Sequence, residues 1–167
     1  SSGAVEQLAR EEGCGIEAAA RTLRYGALKD EIKQRRMGYI ALGHTADDLV
    51  ETMCVRFFQG SGISGLHGIP PIRLPHIRPL IETERREILS FLAQLGVNHS
   101  RDSSNWEDEF QRNRVRRRVL PMVEEEFPAY RQSLLRSAAF FREEEFLLSE
   151  LSRERLQWRL EKEYAEI

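Results

Sequence analysis

Between Gly38 and Gly43 the chain carries four consecutive residues, Tyr39, Ile40, Ala41 and Leu42, that read as one short buried strand. Helical patterns stand on both sides of it. Ile16, Ala19, Ala20, Leu23 and Ala27, with Ile32 beyond them, follow the spacing of one apolar helix face over residues 16–36. Arg35 and Arg36 in the last turn, and Gly38 after it, are stop signals. On the far side Thr45 caps a second helix, and Asp48 three residues on completes a capping box. That helix is expected to run to Phe58 and to bury Leu49, Met53 or Val50, and Phe57. Helix, strand, helix is the repeat of a doubly wound α/β sheet, whose parallel strands are covered by helices on both faces.

One strand cannot make such a sheet. Downstream, only residues 77–81 and a stub at 97–99 read as strand, and the rest is helical over 83–95, 107–119 and 128–163, the last with room for a break. The expected fold is α/β, the remnant of a doubly wound parallel-sheet domain followed by an all-helical segment. The missing strands are expected upstream of Ser1 or from another chain. Residues 1–100 form the α/β part in this reading, 101–120 an Arg-rich segment and 121–167 the helical segment.

At 167 residues, 41% of them hydrophobic and 31% charged, the chain suits one domain or one with a small appendage, and excludes disorder and collagen-like structure. No apolar run approaches the roughly 20 residues that a membrane span needs. Cys14 and Cys54 are far apart and form no C-x-x-C, which argues against a disulfide framework or a zinc ribbon and for a reducing cytoplasm. Of the 25 cations only Lys29, Lys33 and Lys162 are lysine. Arginine suits phosphate through its planar fork, although a GC-rich genome produces the same bias.

Three segments carry candidate chemistry. In Gly43-His44-Thr45-Ala46-Asp47-Asp48-Leu49-Val50-Glu51-Thr52, the residues His44, Asp47, Asp48 and Glu51 lie at i, i+3, i+4 and i+7, on one side of a helix start. Such carboxylates can hold a Mg²⁺ that in turn holds a polyphosphate, or can simply complement the helix dipole. The second segment, Gly60-Ser61-Gly62-Ile63-Ser64-Gly65, matches G-x-G-x-x-G. A helix precedes it and Gly68-Ile69-Pro70-Pro71 follows, so it reads as a glycine loop closing the helix and not as a dinucleotide fingerprint. The third runs from Arg101-Asp102-Ser103-Ser104-Asn105-Trp106 into residues 110–120, which hold five arginines and no acid. That patch fits a phosphate backbone, or an arginine face paired with Glu124, Glu125 and Glu126.

In this order the segments resemble the tRNA(Ile)-lysidine synthetases of the PP-loop ATP pyrophosphatase superfamily. The resemblance begins at Gly15-Ile16-Glu17-Ala18-Ala19-Ala20-Arg21 with Arg24-Tyr25, and continues through Gly43 to Asp48 with Glu51-Thr52. Gly60-Ser61-Gly62, Gly65-Leu66, Gly68 to Pro71 and Arg78-Pro79-Leu80 follow. Asp102-Ser103-Ser104-Asn105, then Arg112-Asn113 and Arg116 up to Leu120-Pro121, complete it.

The resemblance implies an adenine nucleotide alpha hydrolase-like fold. It also implies a ligase that adenylates the carbonyl at carbon 2 of the wobble cytidine in an isoleucine tRNA, after which the ε-amine of free lysine displaces AMP. ATP and Mg²⁺ are then the expected cofactors, with Mg²⁺ on Asp47 and Asp48. His44, Asp47, Asp48 and Glu51 are the implied catalytic residues, and Gly43, His44, Thr45 and Arg56 the implied nucleotide contacts. Asp102, Asn105, Arg112, Asn113 and Arg116 would face the tRNA or the lysine. A homodimer fits as well.

The family's Ser-Gly-Gly-x-Asp-Ser phosphate loop precedes every matched segment and is not among these residues. The chain by itself is therefore expected to be inactive. Two alternatives stay open: a non-catalytic tRNA- or RNA-binding module that retains the fold remnant, and another PP-loop tRNA-modifying enzyme such as a thiolase.

Overall fold

Residues 2–99 and 111–155 are described by the computed structural model of the chain. The chain divides into two compact units, residues 1–42 with 72–77, and residues 43–71 with 78–167.

In the first unit, helix α1 (Ser2–Glu11) packs on α2 (Ile16–Arg35), as the apolar spacing over residues 16–36 predicts for the latter. Arg36 ends α2 in the left-handed region. The expected apolar stripe is only partly covered: Ala19 is buried, whereas Ile16 and Leu23 are exposed. The strand expected at 39–42 forms as β1 (Ile40–Ala41), with Ile40 buried. It pairs in parallel with β3 (His76–Ile77), and β2 (Ile72–Arg73) pairs antiparallel with β3, giving the order β1-β3-β2.

The sheet is thus mixed, where a parallel one was expected. Leu74 and Pro75 alone join β2 to β3, and so short a link permits only an antiparallel return. The strand expected at 77–81 is shorter and begins earlier. Past Ile77 the chain turns, with Ile81 N–H donating to the Arg78 carbonyl, and no strand forms at 97–99. Helix α1 escaped the pattern reading because Val5 and Leu8 are its only large apolar residues.

The described residues of the second unit form helices: α3 (Ala46–Phe58), α4 (Ile63–Leu66), α5 (Arg85–Gln94), α6 (Gln111–Arg114), α7 (Leu120–Glu126) and α8 (Tyr130–Arg155). A π-helical turn, Val115–Val119, joins α6 to α7. The helix expected to end at 119 therefore continues to Glu126. The widened turn falls just before Pro121, whose ring would otherwise crowd the carbonyl four residues back. No break interrupts α8 within its described length.

Two apolar clusters hold this unit together, and α3 supplies both. Leu49 and Met53 pack with Ile81 and Ala138, while Val50 packs with Val115, Leu120 and Tyr130. Leu134 and Leu135 of α8 touch both clusters. Phe57, expected in the core, is 66% exposed. It lies in the last turn of α3, at the rim of a cavity of about 290 Å³ that Met53, Cys54, Leu66 and Phe141 also line.

Candidate functional site

The site grows from the start of α3. Thr45 donates from its backbone N–H (2.7 Å) and its hydroxyl (2.9 Å) to Asp48 Oδ2, which forms the expected capping box. The Ala46 N–H donates to the Thr83 carbonyl, and the Arg85 N–H donates to Asp47 Oδ2 at 2.7 Å. The start of α5, itself capped by Glu84 and Glu87, is thereby tied to the start of α3. Two acids in a first helical turn also complement the helix dipole.

Glu51, one turn further, is 2% exposed, and a carboxylate so buried needs partners. Arginines 61 and 65 residues downstream supply them. Arg112 Nε donates to Glu51 Oε2 at 2.7 Å, and its Nη2 donates to Asp48 Oδ1 at 2.5 Å. Arg116 meets the same carboxylate side-on, Nε to Oε1 at 2.5 Å and Nη2 to Oε2 at 2.9 Å. Arg112 and Arg116 are one helical turn apart, so both reach one buried acid from α6 and the π turn. The hydrogen bond to Glu51 holds the Arg116 guanidinium above its ordinary pKa, against the opposing effect of burial.

A third arginine closes the cluster. Arg131, in the first turn of α8, donates through Nη1 to Asp47 Oδ1 at 2.7 Å. Its guanidinium lies 5.0 Å from the centroid of the Tyr130 ring and reaches Glu124 at 3.4 Å. Asp47, Asp48 and Glu51 are thus met by Arg112, Arg116 and Arg131, three acids against three bases. Sequence reading singled out all but Arg131. Its only signal was a Tyr-Arg pair opening a helix read as part of a separate segment.

Other expected residues belong to the same unit. Arg78 is buried, donates through Nη1 to the Pro70 carbonyl at 2.8 Å, and donates through Nε to His44 Nδ1 at 3.3 Å. An imidazole accepting at Nδ1 presents Nε2 as its donor. Arg78 was visible only as part of the Arg78-Pro79-Leu80 match. Arg56, expected at the nucleotide, turns Nη1 onto the carbonyls of Gly65 and Gly68, both at 2.8 Å, and so clamps the glycine loop. Gly68 has φ +72°, and a Cβ there would lie 2.3 Å from Leu49 Cδ1. Gly43 and Thr45 flank His44 at the entry to α3, and Asn113 is partly buried beside Arg112 on α6. Asp102 and Asn105 lie outside the described residues.

Asp47 and Asp48 were also expected to hold Mg²⁺. Each of their four carboxylate oxygens already accepts from a protein donor: Arg131 and the Arg85 N–H at Asp47, Arg112 and Thr45 at Asp48. Among the described residues no three His, Cys, Asp or Glu side chains converge as a metal site. Mg²⁺ is commonly held by one or two carboxylates together with waters and substrate phosphates, and the second lone pairs of these oxygens are what such a shell would use.

The chain is similar to proteins named tRNA(Ile)-lysidine synthase. That of Borrelia garinii subsp. bavariensis is 44% identical over 131 residues, covering 78% of this chain and 30% of the relative. The Bacteroides thetaiotaomicron protein is 39% identical over 132 residues, covering 79% and 31% respectively. The Geobacillus kaustophilus protein is 34% identical over 159 residues, covering 93% and 34%. The chain therefore spans about a third of the length of these curated relatives. No helix among the described residues is long and apolar enough to cross a membrane. A PP-loop domain matches residues 2–123, which include Asp47, Asp48, Glu51, Arg112 and Arg116 but not Arg131, and the chain belongs to the PP-loop domain family.

Proposed function

We propose that the chain is part of an ATP-dependent ligase that joins lysine to the wobble cytidine of an isoleucine tRNA. In this reading the carbonyl oxygen at carbon 2 of the base attacks the α-phosphorus of ATP and pyrophosphate leaves. The ε-amine of lysine then attacks carbon 2, and AMP leaves with the original carbonyl oxygen. Free lysine and the tRNA are the substrates, and a cytoplasmic setting and a homodimer complete the reading.

The observation that carries it is the meeting of two distant motif segments. Arg112 and Arg116 bond directly to Asp48 and Glu51, so the stretches assigned to nucleotide and to substrate form one cluster. Glu51 is the buried pivot. Fixed by two guanidinium forks, it sets the position of Arg112 and Arg116, whose side chains remain 37% and 34% exposed toward a substrate. His44, oriented by Arg78, offers a donor beside the same helix start. Preorganised donors of this kind act where negative charge develops on phosphate during adenylation. The carboxylates of Asp47 and Asp48 have second lone pairs for the cationic lysine.

The test uses the protein at the length its gene encodes, with unmodified tRNA, Mg-ATP and labelled lysine, counting label in acid-precipitated RNA. Incorporation that disappears when the wobble cytidine is replaced supports the ligase. tRNA binding without incorporation refutes it in favour of a binding module.

A further inference from the structure

We infer that Arg131 is a positioning residue for the reacting site, acting through the carboxylate of Asp47; the inference rests on the ligase reading above. Three features of α8 carry it. Arg131 Nη1 donates to Asp47 Oδ1 at 2.7 Å, the shorter of its two ion pairs, since Glu124 lies at 3.4 Å. The guanidinium lies over the Tyr130 ring at 5.0 Å, within cation–π range. Tyr130 in turn is 5% exposed and sits in the same apolar cluster as Val50 and Val115. Those two neighbours belong to the elements that bear Asp48, Glu51 and Arg116.

The consequence is geometric. Asp47 Oδ2 is fixed by the Arg85 N–H, and Arg131 fixes the other oxygen, so the carboxylate has one orientation. Without Arg131 the group keeps a single anchor and rotates about χ2. A side chain that touches no substrate but sets the angle of one that does should change turnover more than binding. Displacements of about 1 Å at such a group cost on the order of 10²-fold in rate.

The experiment measures steady-state lysine transfer by the protein at its encoded length, comparing wild type with Arg131→Gln, Arg131→Lys and Glu124→Gln. We expect Arg131→Gln to lower kcat by about tenfold or more, while KM for tRNA and for ATP stays within about twofold. Arg131→Lys, which keeps the charge and loses the planar fork, should fall between the two. Glu124→Gln removes only the longer pair and should match wild type. An unchanged kcat in Arg131→Gln, or a loss confined to the KM for tRNA, overturns the inference while leaving the ligase reading intact. Should Arg131→Gln fail to fold, Arg131→Lys decides, and a wild-type kcat there overturns it equally. A wild-type protein that transfers no lysine defeats the ligase reading, and this inference with it.

Discussion

Glu51→Gln isolates what holds the candidate site together. The side chain is 2% exposed and accepts three charge-assisted hydrogen bonds, one from Arg112 and two from Arg116. At about 1.5–3 kcal/mol for each hydrogen bond to a charged group, the gross interaction of the three is about 4.5–9 kcal/mol. Two effects reduce it. Arg112 and Arg116 are 37% and 34% exposed, so both guanidiniums regain water when released. Glutamine also keeps one acceptor oxygen, but its amide N–H₂ then faces guanidinium N–H groups, donor against donor. Breaking a buried ion pair from one side costs about 3–5 kcal/mol, and the partial exposure argues for the lower end, about 3 kcal/mol. At roughly 3 °C per kcal/mol for a domain of this size, the melting temperature should fall by about 9 °C. Urea unfolding followed by circular dichroism measures the free energy, and a thermal melt measures the shift. In the Glu51→Gln background, Arg116→Gln should then add little, because its partner has already gone. A Glu51→Gln protein within about 0.5 kcal/mol of wild type, the scatter of ordinary surface changes, would refute the pivot.

Other parts of the second unit can be tested independently. Gly68→Ala forces a side chain into the left-handed region and into Leu49 and Met53; strain and overpacking together should cost about 2–4 kcal/mol in urea unfolding. Arg56→Ala frees the Gly65 and Gly68 carbonyls and should speed proteolytic cleavage in residues 60–71, while leaving the core melt less affected than Gly68→Ala does. The Tyr130 hydroxyl is buried with no hydrogen-bond partner among the described residues, so Tyr130→Phe should stabilise the protein by about 1 kcal/mol. Burial, and after it Glu51, raises the Cys54 thiol pKa. A raised folded-state value gives stability that is complete below the unfolded thiol value of about 8.5 and is lost as pH rises past it. Unfolding titrations at pH 8 and pH 10 should show that loss, and Cys54→Ala should reduce it.

How much of this was legible in the residues follows from the range of the forces involved. The capping box of Thr45 and Asp48 is a three-residue interaction, and it formed as read. Leu49, Val50 and Met53 are buried as their spacing predicts, because the i, i+4 pattern describes α3 alone. Phe57 obeys the same spacing and is exposed, since whether a helix face is covered depends on what reaches it, and periodicity has no information about that. Two-residue strands such as β2 and β3 have too few side chains for an alternation to register, so the mixed sheet was hidden. The candidate site shows the same divide. Acids at one helix start and arginines near 112–116 were visible as separate patches, and two explanations of the arginine patch were open, a phosphate backbone or pairing with Glu124, Glu125 and Glu126. In the structure Arg112 and Arg116 pair instead with Asp48 and Glu51, acids more than 60 residues upstream. Local charge counting could not find that partner. A desolvated carboxylate can be met by whichever cation the fold brings to it, and here the fold brings Arg112, Arg116 and, at Asp47, Arg131. The motif order carried what spacing could not, because a motif records which distant residues are used together even when no local pattern explains why.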